Sequence, residues 1–260
     1  MVRFGLLMQR SCPRCGYHWA WVLSDGRFKC RQCKQRYTFK SIWDAFRLSD
    51  KTKDKLLEHF VLGVPAYRLR FRGRASRPTI ERFFRAVRKV LSIAEDCTEP
   101  FEGEIECDET MFGGKKPGKR GWGAAGKIIV LGILQRDGIV RAFRIPKRKN
   151  RTITRLIRQH TKPGSLYYTD DWHAYASLGL RGGHVVVRKD KGIPKGRTHI
   201  NGIEGFWSYA KHWLYHYRGV PKKFFHIYLA EISFRFNYRE IDIFPLVKKM
   251  LQQTATLKIS

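Results

Sequence analysis

A chain of 260 residues, 43% hydrophobic and 13% aromatic, has apolar material for one sizeable core and one or two small modules. Its 52 Lys and Arg against 22 Asp and Glu leave a net charge of +30, which is silent about fold but predicts a polyanionic partner, nucleic acid before any membrane surface. No apolar run is long enough to span a bilayer and the opening MVRFGLLMQRSC lacks a signal-peptide core, so the expected compartment is the cytoplasm, at the nucleoid.

Residues 1–40 hold four of the six cysteines, in CPRC (Cys12, Cys15) and CRQC (Cys30, Cys33). The segment between them alternates like a short hairpin, with a turn near Ser24-Asp25-Gly26. Paired C-x2-C knuckles let four thiolates reach one tetrahedral ion, and a segment this short cannot bury enough core to fold without one. The spacing predicts a zinc ribbon; disulfides are disfavoured in an intracellular chain.

Residues 41–93 read as helical. Leu56, Leu57, Phe60 and Val61 share a face, with Ser49 or Asp50 as N-cap, and Gly63 and Pro65 break the pattern. A second short helix and then RPTIERFFRAVRKVLS follow, a succession that fits a helix-turn-helix-like DNA-binding region with Arg82, Arg85, Arg88 and Lys89 on its last helix.

Residues 94–217 alternate strand and helix: FEGEIECDET, GKIIVLGILQ and GIVRAFRI as strands, the last two joined at Asp137-Gly138; RTITRLIRQHT as a helix; SLYYTDD, a helix from Trp172, and GHVVVRK as a further strand. A loop over 189–198 then leads into a helix containing NGIEGFWSYAKHW. This order predicts an α/β domain on a mixed five-stranded sheet. Residues 218–260 read as a C-terminal helical extension, with FFHIYLAEISFRFNYR an amphipathic packing helix.

In so basic a chain the acids are informative. Eight of the 22 fall between Glu95 and Glu109, and no Lys or Arg occurs from Val90 to Gly114. On a strand, Glu104, Glu106 and Asp108 share one face and Ile105 and Cys107 the other. Asp170 closes another strand, and Glu204 opens the late helix with Lys211 seven residues further on. Three carboxylates so placed can converge above a sheet, where Mg2+ or Mn2+ takes oxygen ligands and a pair of ions can clamp both oxygens of a phosphodiester exchange. The competing reading makes Glu204 and Lys211 the solvated rim of a helix whose core side is Ile203, Phe206, Trp207, Ala210 and Leu214.

IECDET, YYTDDWHAY and HINGIEGFWSYAKHWLYHYRGV together resemble the catalytic motifs of DDE transposases of bacterial insertion sequences, in the group with an N-terminal zinc ribbon and an ISXO-like catalytic domain. The likeness runs over nearly the whole chain. It implies an RNase H-like catalytic fold, with Asp108, Asp170 and Glu204 as catalytic acids holding Mg2+ or Mn2+ and Lys211 as the lysine near the DNA end. Asp171 competes with Asp170 for the second position. Asn201, with His199 near it, competes with Glu204 for the third.

The expected activity is cleavage of the terminal inverted repeats of its own element and joining of the 3′-OH ends to target DNA, by a chain that is at least a dimer when assembled on double-stranded DNA. The basic run Arg141–Arg158 would add salt-sensitive phosphate contacts. The alternatives are a metal-dependent nuclease without strand transfer and a non-catalytic zinc-ribbon regulator. An RNA-binding protein fits the charge but leaves the acidic segment without a role.

Overall fold

The computed structural model describes residues 12–38, 40–71, 74–96, 99–113, 126–136, 138–188, 196, 198–217 and 219–254. Their strands are β1 (Ala20–Val22), β2 (Phe28–Cys30), β3 (Arg36–Tyr37), β4 (Glu104–Phe112), β5 (Ile128–Gln135), β6 (Ile139–Ile145), β7 (Leu166–Thr169) and β8 (Gly183–Val186). The α-helices are α1 (Asp50–Val61), α2 (Arg77–Asp96), α3 (Asn150–His160), α4 (Asn201–Tyr215), α5 (Phe225–Asn237) and α6 (Ile243–Gln253). Asp137 of the expected turn, and all of the expected 189–198 loop except Gly196 and Thr198, lie outside the described residues. No helix among the described residues is long and apolar enough to cross a membrane.

Two compact units divide the chain: Met1–Thr98 with Glu240–Ser260, and Glu99–Arg239. The C-terminal stretch read as one extension is therefore shared, α5 going to the second unit and α6 to the first.

In the first unit β1, β2 and β3 form an antiparallel sheet in which Ala20 pairs with Cys30 and Phe28 with Tyr37. The β1–β2 turn is made by Gly26 at φ 76°, a left-handed conformation that suits glycine. Among residues 12–38 only Cys12 and Cys30 are buried, so this module has no apolar core of its own. Its centre is the four cysteines, whose sulfur atoms all lie within 4.8 Å of one another, Cys12 to Cys33 at 3.4 Å and Cys15 to Cys30 at 3.5 Å. Four thiolates about 2.3 Å from one zinc ion stand about 3.8 Å apart, so the donor set fits that ion. Burial pushes the Cys12 thiol up, but the Cys15 and Arg14 backbone groups outweigh it and bring the thiol to about 6, whereas at Cys33 the Gln35 backbone bond is outweighed by burial and the other three sulfurs, which raise it to about 12.

The rest of the unit is helical. Ser49 caps α1 by accepting the Thr52 N–H, and Gly63 at φ 73° ends it. A 3-10 turn over Ala66–Leu69 separates α1 from α2, whose second residue is Pro78, where a missing N–H costs no helical bond. Leu56, Leu57 and Phe60, Phe83, Phe84 and Val87, and Val247 and Leu251 are among the buried residues that α1, α2 and α6 contribute. One reading is corrected here. Arg88 is not on a solvent face: it is 3% exposed, with its guanidinium 5.2 Å from the Phe60 ring centre.

The second unit is built on the sheet β6-β5-β4-β7-β8, antiparallel across β6-β5-β4 and parallel across β4-β7-β8. Strand alternation sends Ile105, Cys107, Leu131, Ile133 and Tyr167 to one face, where they pack with Ile153 and Ile157 of α3. Val130, Leu134, Val140 and Ala142 face the other way, against Ile203, Phe206 and Ala210 of α4 and Leu229 and Ile232 of α5. This mixed five-stranded α/β layer is the RNase H-like architecture expected from the motifs. The helix expected from Trp172 is a 3-10 helix over His173–Leu180.

Arg141, counted above among the phosphate-contacting residues, is 3% exposed and donates to His160 Nδ1 at 2.8 Å; the His160 ring stacks on Phe143 at 4.3 Å. Burial, then the Arg141 charge, lower the His160 pKa to about 4 from 6.5. The unfolded chain takes this proton near pH 6.5 and the folded chain only near 4, so His160 contributes stability above pH 6.5 that is lost as pH falls towards 4. The melting temperature should drop across that window, and His160→Gln should flatten the slope in a pH series of thermal melts.

Candidate active site

Position in the sheet brings the first two acids together. In the parallel β4–β7 register Cys107 pairs with Thr169, so Asp108 and Asp170 are the next residues along two neighbouring strands. The carboxyl ends of parallel strands are where α/β sheets form their sites. Carboxylate oxygens of Asp108, Glu109 and Asp170 lie within 4.8 Å of one another. Glu109, read in the sequence only as the residue after Asp108, is thus a third acid of the cluster.

A basic residue shares the cluster. Arg148 donates from Nη2 to Glu109 Oε2 at 3.1 Å and stands 3.8 Å from Asp170 Oδ2, with its guanidinium 3.6 Å from the Trp172 ring centre. Asp170 Oδ1 accepts the Trp172 N–H at 3.1 Å, which turns the chain immediately after the strand. Tyr175, 1% exposed, meets Trp172 edge-on at 5.8 Å. The stretch TDDWHAY is therefore a scaffold: Asp170 enters the cluster, Trp172 backs Arg148 and Tyr175 anchors the turn. Asp171 is exposed and is not in the cluster.

Burial pushes the Glu109 carboxyl up to about 7, with Arg148 pulling it down and the neighbouring Asp108 charge pushing it up. Its Oε1 is buried and has no hydrogen-bond partner among the described residues. Three carboxylates with oxygens this close fit a hard divalent cation such as Mg2+ or Mn2+. In this arrangement Asp108, Glu109 and Asp170 are the residues that could hold it.

Glu204 stands in the first turn of α4, half-buried and outside that trio. Lys211 lies two turns on along the same helix, exposed. What α4 does contribute directly is Trp207, whose indole N–H donates to Asp108 Oδ2 at 3.1 Å. Glu204 precedes Trp207 by three residues and so shares its side of the helix. Orienting a ligand carboxylate by a donor behind it is a familiar element of metal sites. The aromatic residues of NGIEGFW thus do two jobs, Phe206 packing the core and Trp207 holding Asp108.

Close approach of α4 to the sheet rests on Gly132, which pairs with Asp108 in β5. A Cβ at this position would come within 2.5 Å of Trp207 and 2.6 Å of Ile203. Gly132→Ala should destabilise the fold by about 1–3 kcal/mol through overpacking, read as a lowered urea midpoint.

Residues 100–237 match the family model described as an ISXO2-like transposase domain. Over 98 residues the chain is 35% identical to a protein of Haemophilus influenzae described as an uncharacterized transposase-like protein, a stretch covering 37% of this chain and 80% of that one.

Proposed function

The chain belongs to the ISXO2-like transposase family, and we propose that it cleaves the terminal inverted repeats of its own insertion sequence and joins the freed 3′-OH ends to target DNA. The observation that carries this reading is the meeting of Asp108, midway along β4, with Asp170, just past the end of the adjacent parallel strand β7, in a chain of charge +30. Divalent metal, when bound there, activates the attacking oxygen and stabilises the leaving one. Asp108 and Asp170 would supply oxygen ligands to it, and Glu204, reached from α4, is assigned as the third acid. Lys211 is assigned to a DNA phosphate.

In the first step water displaces the DNA 3′ oxygen at the element end; in the second that 3′-OH attacks a target phosphodiester and expels its 3′ oxygen. Both are in-line exchanges at phosphorus, and neither requires a protein nucleophile.

Charge placement supports a DNA partner. Arg151, Arg155 and Arg158 are exposed on α3, a helix without Asp or Glu. Between Cys12 and Tyr37 there are six Lys or Arg against one acid. On that module Trp19 is 65% exposed, and Arg31 and Lys34 approach the Trp21 ring at 5.6 and 4.6 Å, a basic and aromatic surface suited to nucleic acid. A structural zinc ion in the ribbon, a homodimer on paired element ends and a cytoplasmic, nucleoid-associated location complete the reading.

The test is cleavage and joining of labelled duplexes carrying the element ends, with Mg2+, with Mn2+ and with EDTA. Metal-dependent nicking at the ends followed by joined products is expected. Nicking without joining would replace the transposase by a nuclease, and salt-sensitive binding without cleavage in either metal would leave a regulator.

A further inference from the structure

Two residues before Asp108, on the face of β4 that α4 covers, stands a second carboxylate that takes no part in the acid cluster. Glu106 is 1% exposed, and both of its oxygens are engaged. Oε1 accepts from Arg136 Nε at 2.9 Å, and Oε2 accepts the backbone N–H of Ile203 at 2.9 Å, across 97 positions of sequence. The first four N–H groups of a helix have no partner within it. Ile203 is third in α4, and the residue before the helix, Ile200, offers no side-chain cap. Glu106 therefore caps α4 from the sheet, with a charge that suits the positive end of the helix.

Arg136 makes this contact directional. Its side chain is 8% exposed, and it donates to Glu104 at 3.1 Å as well as to Glu106 and to the carbonyl of His199, just before α4. Its guanidinium stacks 3.6 Å from the Tyr168 ring centre. Gly202 lets the helix come this close, since a Cβ there would lie 2.9 Å from Glu106 Oε2.

The second pin is one helical turn further on, where Trp207 meets Asp108. The spacings match. Four residues of helix advance about 6 Å and two residues of strand about 6.6 Å, so Ile203 and Trp207 can seat on Glu106 and Asp108 together. A helix held at two points can neither slide nor rotate on the sheet. Glu204 lies between them.

We propose that Glu106, oriented by Arg136, is a positioning residue that sets where Glu204 stands over Asp108. This rests on the assignment of Glu204 as the third acid. Glu106 touches neither DNA nor metal; it acts through the placement of α4.

A double-mutant cycle on the full chain tests it, using Glu106→Gln, Glu204→Gln and the pair, with Arg136→Lys in place of Glu106→Gln should that variant not fold. Two quantities are read: the single-turnover rate of end cleavage at saturating DNA and Mn2+, and Mn2+ affinity without DNA, from the free-ion electron paramagnetic resonance signal. Glu106→Gln should slow cleavage about ten- to a hundredfold with DNA affinity unchanged, as expected for a displaced catalytic group. Added to Glu204→Gln, it should bring no further loss in rate or in Mn2+ affinity. Losses that multiply, or a folded Glu106→Gln protein that cleaves at the parental rate, would overturn the proposal. Should the parent protein fail to cleave, the transposase reading fails, and Mn2+ affinity still decides whether Glu106 acts through Glu204. Should Asp108→Asn abolish cleavage while Glu204→Gln has no effect, the reading of the site stands and the role of Glu106 falls.

Discussion

Asp108→Asn is expected to reduce end cleavage by about 10³-fold or more while leaving DNA affinity unchanged or slightly raised. The substitution is nearly isosteric. An Asn carbonyl oxygen can still accept the Trp207 indole N–H that now goes to Oδ2, so the docking of α4 on β4 should survive. What disappears is a negative charge beside Glu109 and Asp170, the charge that attracts a divalent cation and repels phosphate. Affinity and chemistry should therefore separate: gel-shift titrations unchanged or tighter, single-turnover cleavage lost in both Mg2+ and Mn2+. Asp170→Asn should behave alike, with the Trp172 N–H still bonded to its side-chain oxygen. A variant that cleaved at more than a tenth of the parental rate would remove Asp108 from the catalytic set.

Cys30→Ser is expected to have the largest structural effect. The ribbon buries only Cys12 and Cys30 among residues 12–38, and its strands are three, three and two residues long. Hydrophobic burial cannot offset the entropy of ordering such a module, whereas zinc on four thiolates contributes on the order of 10 kcal/mol. The parent chain should carry one zinc ion, counted colorimetrically after thiol modification. Cys30→Ser should carry none, and its ribbon should become sensitive to protease. The unit spanning Glu99–Arg239 has its own sheet and two apolar layers, so its melting should persist. Loss of end-specific binding with retained melting of that unit would assign recognition to the ribbon. Full zinc content in the variant would show that the four sulfurs are not the ligand set.

Much of this molecule was legible before any coordinates. The knuckle spacing brings the four sulfurs together, because two residues between cysteines let both sulfurs of a pair face one point. The alternation in GEIECDE separates apolar from acidic positions because strand side chains point to opposite faces. In IVLGIL the apolar run is unbroken because β5 is covered on both faces. These are local consequences of backbone geometry, and the order of strands and helices in 94–217 followed from them.

Tertiary structure decided what local pattern cannot contain. Glu106 and Glu109 look like two acids among eight; only packing gives one to the N-terminus of α4 and the other to the cluster with Asp170. Arg88 and Arg141 look like members of basic faces; contacts with Phe60 and His160 bury them. The Trp of EGFW reads as core and is core, yet its indole N–H also finds Asp108 across 99 positions of chain. Sequence alone determined which elements form and which residue types carry charge and metal affinity, because those depend on neighbours a few bonds away. Which carboxylates share a site, and which are taken up in holding a helix, depends on the register of β4 against β7 and the seating of α4 on β4, and those are set by packing between residues far apart in the chain.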